Sequence, residues 1–345
     1  MKIIEFGENK KGESATLYCF ENSNGVEMYV SDFGATLQKL LVPDKNHIKR
    51  DVVLGYDDPL DYEGPAGTFF GATVGRHANR IANGSFELNG IVYQLDQNNG
   101  NNNLHSGLDF WSFRIWDVNE VTENSIRFGL FSPDGDQGFP GNVDVEVEYT
   151  LTEDNRIIIE YSATTDQDTP LNITNHSYFN LSGHESGSVR RQILWIDADE
   201  FTKTNEELIP TGEILAVEGT PMDFRTSKEI GLEIDSDYEA LKIGRGYDHN
   251  WVLNNHGEFK KIASLYSEDT GIEMDVYTDL PGVQIYTANF VENERGKNGV
   301  VYQMNQGVCF ETQYFPDSVN HSNFTSCICK KEDKYKTKTE FRFIL

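Results

Sequence analysis

Alternation of apolar and polar residues recurs along this chain and is the feature that most restricts its fold. Residues 143–149 alternate strictly between an apolar and an acidic residue, and residues 336–344 alternate again near the C-terminus. Residues 156–163 have the pattern of a strand with an apolar centre, and residues 307–315 are a further candidate. A period of two places successive side chains on opposite faces of a strand, so the pattern predicts β-structure. The aromatic content of 12% agrees, because aromatic residues favour pleated, half-buried surfaces.

The connections between these strands favour one large antiparallel domain. Residues 272–277 and 283–290 look like a pair of strands joined by a short, turn-type connection. Helical patterns are scarce, and only residues 201–208 and 227–234 are candidates for a turn or two of helix. We therefore predict an all-β fold, a large antiparallel β-sandwich with few short helices, in which residues 1–345 form a single domain.

Charge and cysteine content narrow the classes of partner. The formal net charge of −27 would repel nucleic acid and an anionic membrane surface, whereas a neutral polyol meets no such repulsion. The N-terminal residues lack the apolar run of a signal peptide, and no stretch of about 18 apolar residues predicts a transmembrane helix. The four cysteines show no disulfide framework. These features predict a reduced, cytoplasmic protein that binds neither nucleic acid nor membranes.

Two segments carry candidate acid–base residues. His176 stands in the sequence Thr-Asn-His-Ser-Tyr-Phe-Asn-Leu, and histidine is the side chain best suited to exchange protons near neutral pH. Glu311 lies in a strongly apolar and aromatic strand, where a carboxylate is costly to bury unless it has partners or a task. Local sequence alone favours the alternatives, a structural histidine and an outward-facing glutamate.

Other polar clusters suit recognition of hydroxyls, carboxylates or phosphate. Residues 75–84 concentrate arginine, asparagine and histidine, including Arg76 and Arg80. Asp248 and His249 are adjacent, so in an extended segment they point to opposite faces and only one of them enters a given site. An exposed polar turn is the plainer interpretation of the first cluster.

Metal and covalent patterns are weak. Cys327 and Cys329 would share one face of a strand, but no further ligand spacing accompanies them. Asp134 and Asp136 begin like a calcium loop that lacks its later ligands. Neither a Gly-x-Ser-x-Gly motif nor a phosphate-binding glycine loop is present. We expect no metal and no cofactor.

Together these segments resemble the aldose 1-epimerase, or galactose mutarotase, family. Any one segment is weakly specific, but their order along nearly the whole chain is highly specific. The matching segments are residues 33–37, 52–56, 75–81, 103–107, 132–141, 174–181, 246–249, 282–286 and 307–318. Residues 326–338 depart from the usual final turn and strand of the family, so the resemblance makes no prediction for the C-terminal edge.

The resemblance implies a β-sandwich of the galactose-mutarotase type with an open, sugar-sized cleft and no cofactor. By position, His176 corresponds to the proton donor of the family and Glu311 to its proton acceptor. The residues that would bind the sugar are Asn79, Arg80, His105, Asp248 and Gln284, with Ser177 and Tyr178 flanking the donor.

A carboxylate and an imidazole suit the opening and reclosure of a cyclic hemiacetal, because one removes a proton while the other supplies one. The expected substrate is a free aldose such as galactose or glucose, and the protein is expected to be a monomer or a homodimer. A hexose-phosphate 1-epimerase and a non-catalytic sugar-binding protein on the same scaffold remain alternatives. A glycoside hydrolase usually needs two carboxylates, so the pair fits that class poorly.

Overall fold

The computed structural model describes residues 1–64 and 67–345, and antiparallel strands dominate it. Two α-helical segments, α1 (Pro59–Tyr62) and α2 (Glu239–Gly244), occur in the described chain. In the first half the strands are β1 Lys2–Glu8, β2 Ser14–Glu21, β3 Glu27–Ser31, β4 Thr36–Pro43, β5 Lys49–Asp51, β6 Thr73–Val74, β7 Arg80–Ile81, β8 Ser85–Leu88, β9 Ile91–Gln94, β10 Asn103–Leu104, β11 Asp117–Val121, β12 Ser125–Ser132, β13 Val143–Leu151, β14 Arg156–Thr165, β15 Thr169–Pro170 and β16 Thr174–Asn175. In the second half they are β17 Tyr178–Phe179, β18 Ile193–Ile196, β19 Glu200–Thr204, β20 Pro210–Ala216, β21 Lys228–Glu229, β22 Asp248–Val252, β23 Lys260–Tyr266, β24 Glu273–Thr278, β25 Gly282–Tyr286, β26 Glu294–Arg295, β27 Val301–Tyr302, β28 Val308–Gln313, β29 Ile328–Cys329 and β30 Lys334–Ile344.

Three large sheets contain most of these strands. The N-terminal sheet has the order β1-β2-β3-β4-β5. The nine-stranded sheet has the order β11-β12-β13-β14-β30-β24-β23-β18-β21, and the six-stranded sheet has the order β17-β28-β25-β22-β19-β20. Short two-stranded pairs, such as β7 with β10 and β6 with β16, lie beside them.

The nine-stranded and six-stranded sheets pack face to face. Phe341 of β30 packs against Phe179 of β17 with ring centroids 4.8 Å apart, and the hydroxyls of Thr312 and Thr339, one from each sheet, are 2.5 Å apart. Buried hydrophobic residues distributed from the N-terminal sheet to the last strand form one continuous cluster. The predicted all-β antiparallel sandwich is therefore confirmed. Because Thr312 faces the other sheet, alternation places the neighbouring Glu311 on the opposite, outer face of the six-stranded sheet.

The alternating segments form strands where the pattern placed them. β13 buries every second residue, and β14 pairs with it over nine residues, from Val143 opposite Thr165 to Leu151 opposite Ile157. Tyr149 of β13 is fully buried and donates its hydroxyl proton to the carbonyl of Ala35. Burial of the apolar face and exposure of the polar face together fix this register.

The predicted strand pair at residues 272–290 was wrong, although both strands exist. β24 lies between β23 and β30 in the nine-stranded sheet, whereas β25 lies between β22 and β28 in the six-stranded sheet. Leu280 in the connection is buried, and the Asn255 side-chain amide donates to the carbonyls of Thr278 and Leu280. The connection thus crosses from one layer to the other, because its apolar residue belongs in the core between them.

The predicted helical turn at residues 201–208 was also wrong. Residues 200–204 form β19, in which the buried Phe201 pairs with Trp251 of β22. Pairing with neighbouring strands outweighs the weak helical propensity of so short a segment. Residues 230–232 do form a single 3₁₀ turn within the second candidate, whereas α2 was not predicted.

The atypical C-terminal segment occupies regular places in the sheets. β29 pairs with β15, and the eleven residues of β30 lie between β14 and β24 near the middle of the nine-stranded sheet. The last strand is therefore a central strand rather than an edge. Neither α1 nor α2, the α-helices of the described chain, is long and apolar enough to cross a membrane.

Candidate active site

An open cavity of about 290 Å³ lies against the outer face of the six-stranded sheet. Its lining comes from two sources, which we name separately. The strand wall consists of His176, Tyr178, Asp248, Tyr286 and Glu311, which lie on or beside β17, β22, β25 and β28. The loop wall consists of Gly67, Thr68, Phe69, Asn79, Arg80, Asn99, Leu104 and His105, and the loop after β25 adds Phe290 and Val291 at the rim.

His176 and Glu311 meet at the floor of this cavity. The Nε2 atom of His176 is 3.6 Å from Oε1 of Glu311, and both side chains are almost fully buried. Burial lowers the pKa of His176 to about 4. Burial, followed by the nearby Asp248 carboxylate, raises the pKa of Glu311, while Arg80 opposes the rise. The pair has two forms with the same number of protons: either Glu311 is protonated and His176 is neutral, or Glu311 is charged and Nε2 of His176 is protonated. The two residues together therefore hold one exchangeable proton over a wide range of pH.

Aromatic rings fix the orientation of the His176 imidazole. Tyr178 stacks on one side with a centroid distance of 5.0 Å, and Phe69 stacks at 6.0 Å. His105 meets the ring edge-on at 5.3 Å. These contacts keep Nε2 directed at Glu311 and the cavity.

The loop wall is built from residues in unusual backbone conformations. Phe69, Asn79 and His105 have φ angles of 54°, 61° and 53°, in the left-handed region that few non-glycine residues adopt. Asn79 and His105 stabilise each other: the His105 amide donates to the Asn79 carbonyl at 2.9 Å, and the Asn79 amide donates to Nδ1 of His105 at 3.2 Å. Since Nδ1 accepts a hydrogen bond, the proton of a neutral His105 resides on Nε2. His105 therefore presents a donor to a ligand.

This tautomer also decides how well the site suits a metal ion. His105, His176 and Glu311 bring one potential ligand atom each to within 4.8 Å of one another. A metal would need the lone pair of Nε2 on His105, and that atom carries the proton while the Asn79 amide donates to Nδ1. The cluster is thus better suited to donate hydrogen bonds to oxygen atoms than to coordinate a cation.

Two residues of the predicted site lie behind the lining. Gln284 donates from Nε2 to Oδ1 of Asp248 at 2.7 Å and is not itself part of the described lining. It stands between Asn250 and Glu311 on the adjacent strands. Ser177 is also buried away from the cavity, and its hydroxyl has no partner among the described residues. Tyr178, Asp248, Asn79, Arg80 and His105 do line the cavity.

The two arginines of residues 75–84 have different positions. The buried guanidinium of Arg76 donates to the side chain and carbonyl of Ser132 and to the carbonyls of Pro133 and Pro140, away from the cavity. Arg80 lines the cavity, and its Nε donates to Oδ1 of Asn99 at 3.1 Å. Among the described lining residues, Arg80 is the only arginine or lysine.

Several lining residues had not been anticipated from the sequence. They are Gly67, Thr68, Phe69, Asn99, Leu104, Tyr286, Phe290 and Val291. Tyr286 was detectable in principle, because it lies two residues after Gln284 on the same strand and therefore on the same face. The others reach the cavity through the paths of their loops, for which local sequence offers no pattern.

Comparison with known proteins agrees with the fold. The family model for aldose 1-epimerase matches residues 16–342. The chain belongs to the aldose 1-epimerase family. It is 38% identical to aldose 1-epimerase of Escherichia coli K12 over 96% of each protein, and 39% identical to galactose mutarotase of Bos taurus over 93% of this chain and 92% of that protein.

Solved structures of the family have the same sandwich. An aldose epimerase homologue from C. elegans superposes with a TM-score of 0.88 at 32% identity, over 96% of this chain and 99% of that one. Galactose 1-epimerase from Lactobacillus acidophilus superposes with a TM-score of 0.86 at 28% identity, over 99% and 98%. The fold is thus a β-sandwich of the galactose-mutarotase type, and this member of the aldose 1-epimerase family is an isomerase.

Proposed function

We propose that this aldose 1-epimerase interconverts the α and β anomers of free hexoses such as galactose and glucose, with His176 and Glu311 as the acid–base pair. The observation that carries the proposal is the 3.6 Å approach of Nε2 of His176 to Oε1 of Glu311 at the floor of a sugar-sized cavity. We also propose that the chain is a single domain, since one hydrophobic cluster joins residues from Phe20 to Phe343.

Ring opening needs one proton to leave and another to arrive. In the proposed reaction the Glu311 carboxylate takes the proton of the anomeric hydroxyl, while Nε2–H of His176 protonates the ring oxygen as the bond from that oxygen to the anomeric carbon breaks. The product is the open-chain aldehyde, with a neutral Glu311 and a neutral His176. Each positioned group contributes roughly a hundred- to ten-thousand-fold to the rate of such a step.

Reclosure uses the same residues with their roles exchanged. The aldehyde group turns over by rotation about its bond to the next carbon, so that the hydroxyl attacks the opposite face. His176 then removes the hydroxyl proton and Glu311 returns a proton to the carbonyl oxygen. The pair ends with the one proton with which it began, and burial, which lowers the pKa of His176 and raises the pKa of Glu311, favours the neutral form that the pair has while the aldehyde is open.

The remaining lining residues are proposed to hold the sugar. Arg80 and His105 offer donors, and Asp248, which Gln284 orients, offers an acceptor. Arg80 is also close enough to Glu311 to favour its charged form. A neutral polyol fits this mixture of donors and acceptors, whereas a phosphate would find Arg80 as its sole lysine or arginine partner in the described lining.

The test is polarimetry on freshly dissolved α-glucose and α-galactose. We expect purified protein to accelerate the approach to the anomeric equilibrium, and we expect His176→Asn and Glu311→Gln each to remove most of the acceleration. Circular dichroism of both variants checks that the fold survives. Folded wild-type protein without any acceleration would refute the proposal, and faster turnover of glucose 6-phosphate than of glucose would favour the hexose-phosphate alternative.

A further inference from the structure

The proposed reaction places a requirement on Nδ1, the second ring nitrogen of His176. Nε2 faces Glu311 and exchanges the proton with the ring oxygen. Nδ1 must keep its own proton throughout, because a neutral histidine that shifted its proton from Nδ1 to Nε2 could no longer accept one at Nε2. Which nitrogen holds the proton of a neutral imidazole is decided by the hydrogen bond that the other makes.

Cys309 is the side chain placed to meet Nδ1. Its Sγ atom is 3.6 Å from Nδ1 of His176, and both residues are buried. The contact follows from the strand: Cys309 lies two residues before Glu311 on β28, so both side chains project from the same face, and Cys309 pairs with Tyr178. The same sheet register therefore brings Glu311 to one nitrogen of the imidazole and sulfur to the other.

The other neighbours of the ring do not replace this contact. Phe69 and Tyr178 stack on its faces, and His105 and Tyr286 approach edge-on. The charged groups nearby, Glu311 with Asp248 and Arg80 beyond it, lie on the cavity side. The backbone of His176 itself raises the pKa of the ring slightly, against the larger effect of burial.

A thiol suits this position better than a carboxylate would. Burial raises the pKa of Cys309, and the neighbouring Glu311 and Asp248 raise it further, so the group stays a neutral thiol. Neutral sulfur is a weak acceptor. It can therefore hold the Nδ1 proton without the strong stabilisation of the imidazolium that a charged acceptor gives, and His176 remains a ready acid at Nε2.

We propose that Cys309 is a positioning residue of the aldose 1-epimerase: its sulfur accepts the Nδ1 hydrogen of His176 and so reserves Nε2 for proton exchange with the sugar. This inference rests on the proposed roles of His176 and Glu311. It assigns Cys309 no contact with the substrate.

The test compares Cys309→Ala and Cys309→Ser with Cys19→Ala, which removes another buried thiol, on β2 of the N-terminal sheet. The main measurement is the ¹⁵N spectrum of protein labelled at histidine, in which the two tautomers of neutral His176 have distinct shifts. His176→Asn identifies the signal. We expect the Nδ1–H form in the wild type, a mixture of tautomers in Cys309→Ala, and the wild-type pattern in Cys309→Ser and Cys19→Ala.

Kinetics provide the second measurement. In Cys309→Ala we expect kcat to fall roughly two- to tenfold, the effect of one weak hydrogen bond, with KM nearly unchanged. Cys309→Ser should recover most of the loss, because a hydroxyl also accepts a hydrogen bond, and Cys19→Ala should retain wild-type kcat.

An Nε2–H tautomer in the wild type, or unaltered spectrum and kcat in Cys309→Ala, would overturn the inference. The wild-type spectrum decides the first point even if a variant does not fold. Failure of the proposed function looks different: the wild type would not accelerate anomer exchange, whichever tautomer the spectrum reports.

Discussion

The strand wall and the loop wall of the cavity are made in opposite ways. Asp248 and Glu311 lie in the six-stranded sheet, where the pairing of neighbouring strands fixes their spacing. Asn79 and His105 each lie next to the two-residue pair of β7 and β10, and both have left-handed backbone conformations. The chemistry proposed for this enzyme is on the first wall and much of the sugar binding on the second. We infer that rigid strands hold the reacting groups, while loops supply the shape of the cavity.

Distant contacts, rather than local propensity, hold the loop wall in place. The amide of Asp317 donates to the carbonyl of Arg80 at 2.9 Å, and the amide of Ala82 donates to Oδ1 of Asp317 at 3.0 Å. Arg76 fixes the residues just before this segment through its bonds to residues 132–140. Strained backbone persists only when its surroundings determine it in this way.

The largest effect that we expect is on the pH dependence of stability, and it does not depend on the wall to which a residue belongs. The His176–Glu311 pair binds one proton in the folded and the unfolded chain alike, because the raised pKa of Glu311 offsets the lowered pKa of His176. Burial also lowers the pKa of His77 and His249 to about 4, and lowers the pKa of His105 as well. The unfolded chain therefore binds protons first as the pH falls. Each such histidine should reduce the free energy of unfolding by ~1.4 kcal/mol per pH unit below about 6.5, and the effect should be absent above that pH.

Chemical denaturation between pH 7.5 and 4.5 measures this loss of stability. A His249→Gln variant should lose stability less steeply by the share of one histidine, because residue 249 would then no longer titrate. Stability that stays constant between pH 6.5 and 5 would contradict the burial of His77, His105 and His249 in their neutral forms.

The next effect sharpens the comparison, because it belongs to the strand wall alone. Glu311→Gln keeps the shape of the side chain but cannot take a proton, so kcat should fall roughly a hundred- to ten-thousand-fold while KM changes little. Steady-state polarimetry separates the two constants. Glu160→Gln is the matched control, since Glu160 lies on β14 of the other sheet, and it should behave like the wild type. An equal rise in KM would mean that Glu311 holds the sugar rather than reacting with it.

The sequence predicted more of the strand wall than of the loop wall, and the reason is physical. Alternation over residues 307–315 identifies a strand and places Glu311 with Cys309 on one face, because the period of a strand is fixed. The hydrogen bonds of Asn79 with His105, by contrast, depend on a tertiary contact across 26 residues of chain. Asn79 and Arg80 lie in a polar cluster that the sequence itself marked for recognition, but their individual roles, and that of His105, came only from the resemblance to the family.

Other parts of the molecule were beyond local patterns altogether. Phe69 and Phe290 reach the cavity through the paths of their loops, and the crossing between β24 and β25 depends on where Leu280 is buried. Gln284 was predicted to bind the sugar, and it lies behind Asp248, to whose carboxylate its amide donates. The spacing of residues along one strand does not reveal which side chain reaches the cavity first.

The third prediction tests the loop wall by itself. Arg80→Met removes charge-assisted hydrogen bonds to sugar oxygens, so KM should rise roughly ten- to a hundredfold. The fall in kcat should be smaller than in Glu311→Gln, although the carboxylates lose a cation that favours their charged forms. Arg127→Met, which breaks ion pairs with Glu120 and Glu148 on the surface, is the control and should leave both constants unchanged. A loss confined to kcat would show that Arg80 takes part in the reaction, which we assign to the strand wall.

The smallest effect concerns the rim. Phe290 is 48% exposed, stacks on Tyr286 with ring centroids 6.3 Å apart, and lies under the guanidinium of Arg245. Its exposed part lines the cavity and can contact a bound pyranose. Phe290→Ala should therefore raise KM roughly two- to fivefold through lost apolar burial and leave kcat unchanged. Phe259→Ala is the matched control, because Phe259 is 39% exposed and lies against Tyr277, on the nine-stranded sheet. A fall in kcat with Phe290→Ala would show that the rim acts on His176 through Tyr286, which also contacts that imidazole edge-on. In that case the loop after β25 would contain residues that support the reaction as well as residues that bind the sugar, and the two walls would not separate these roles.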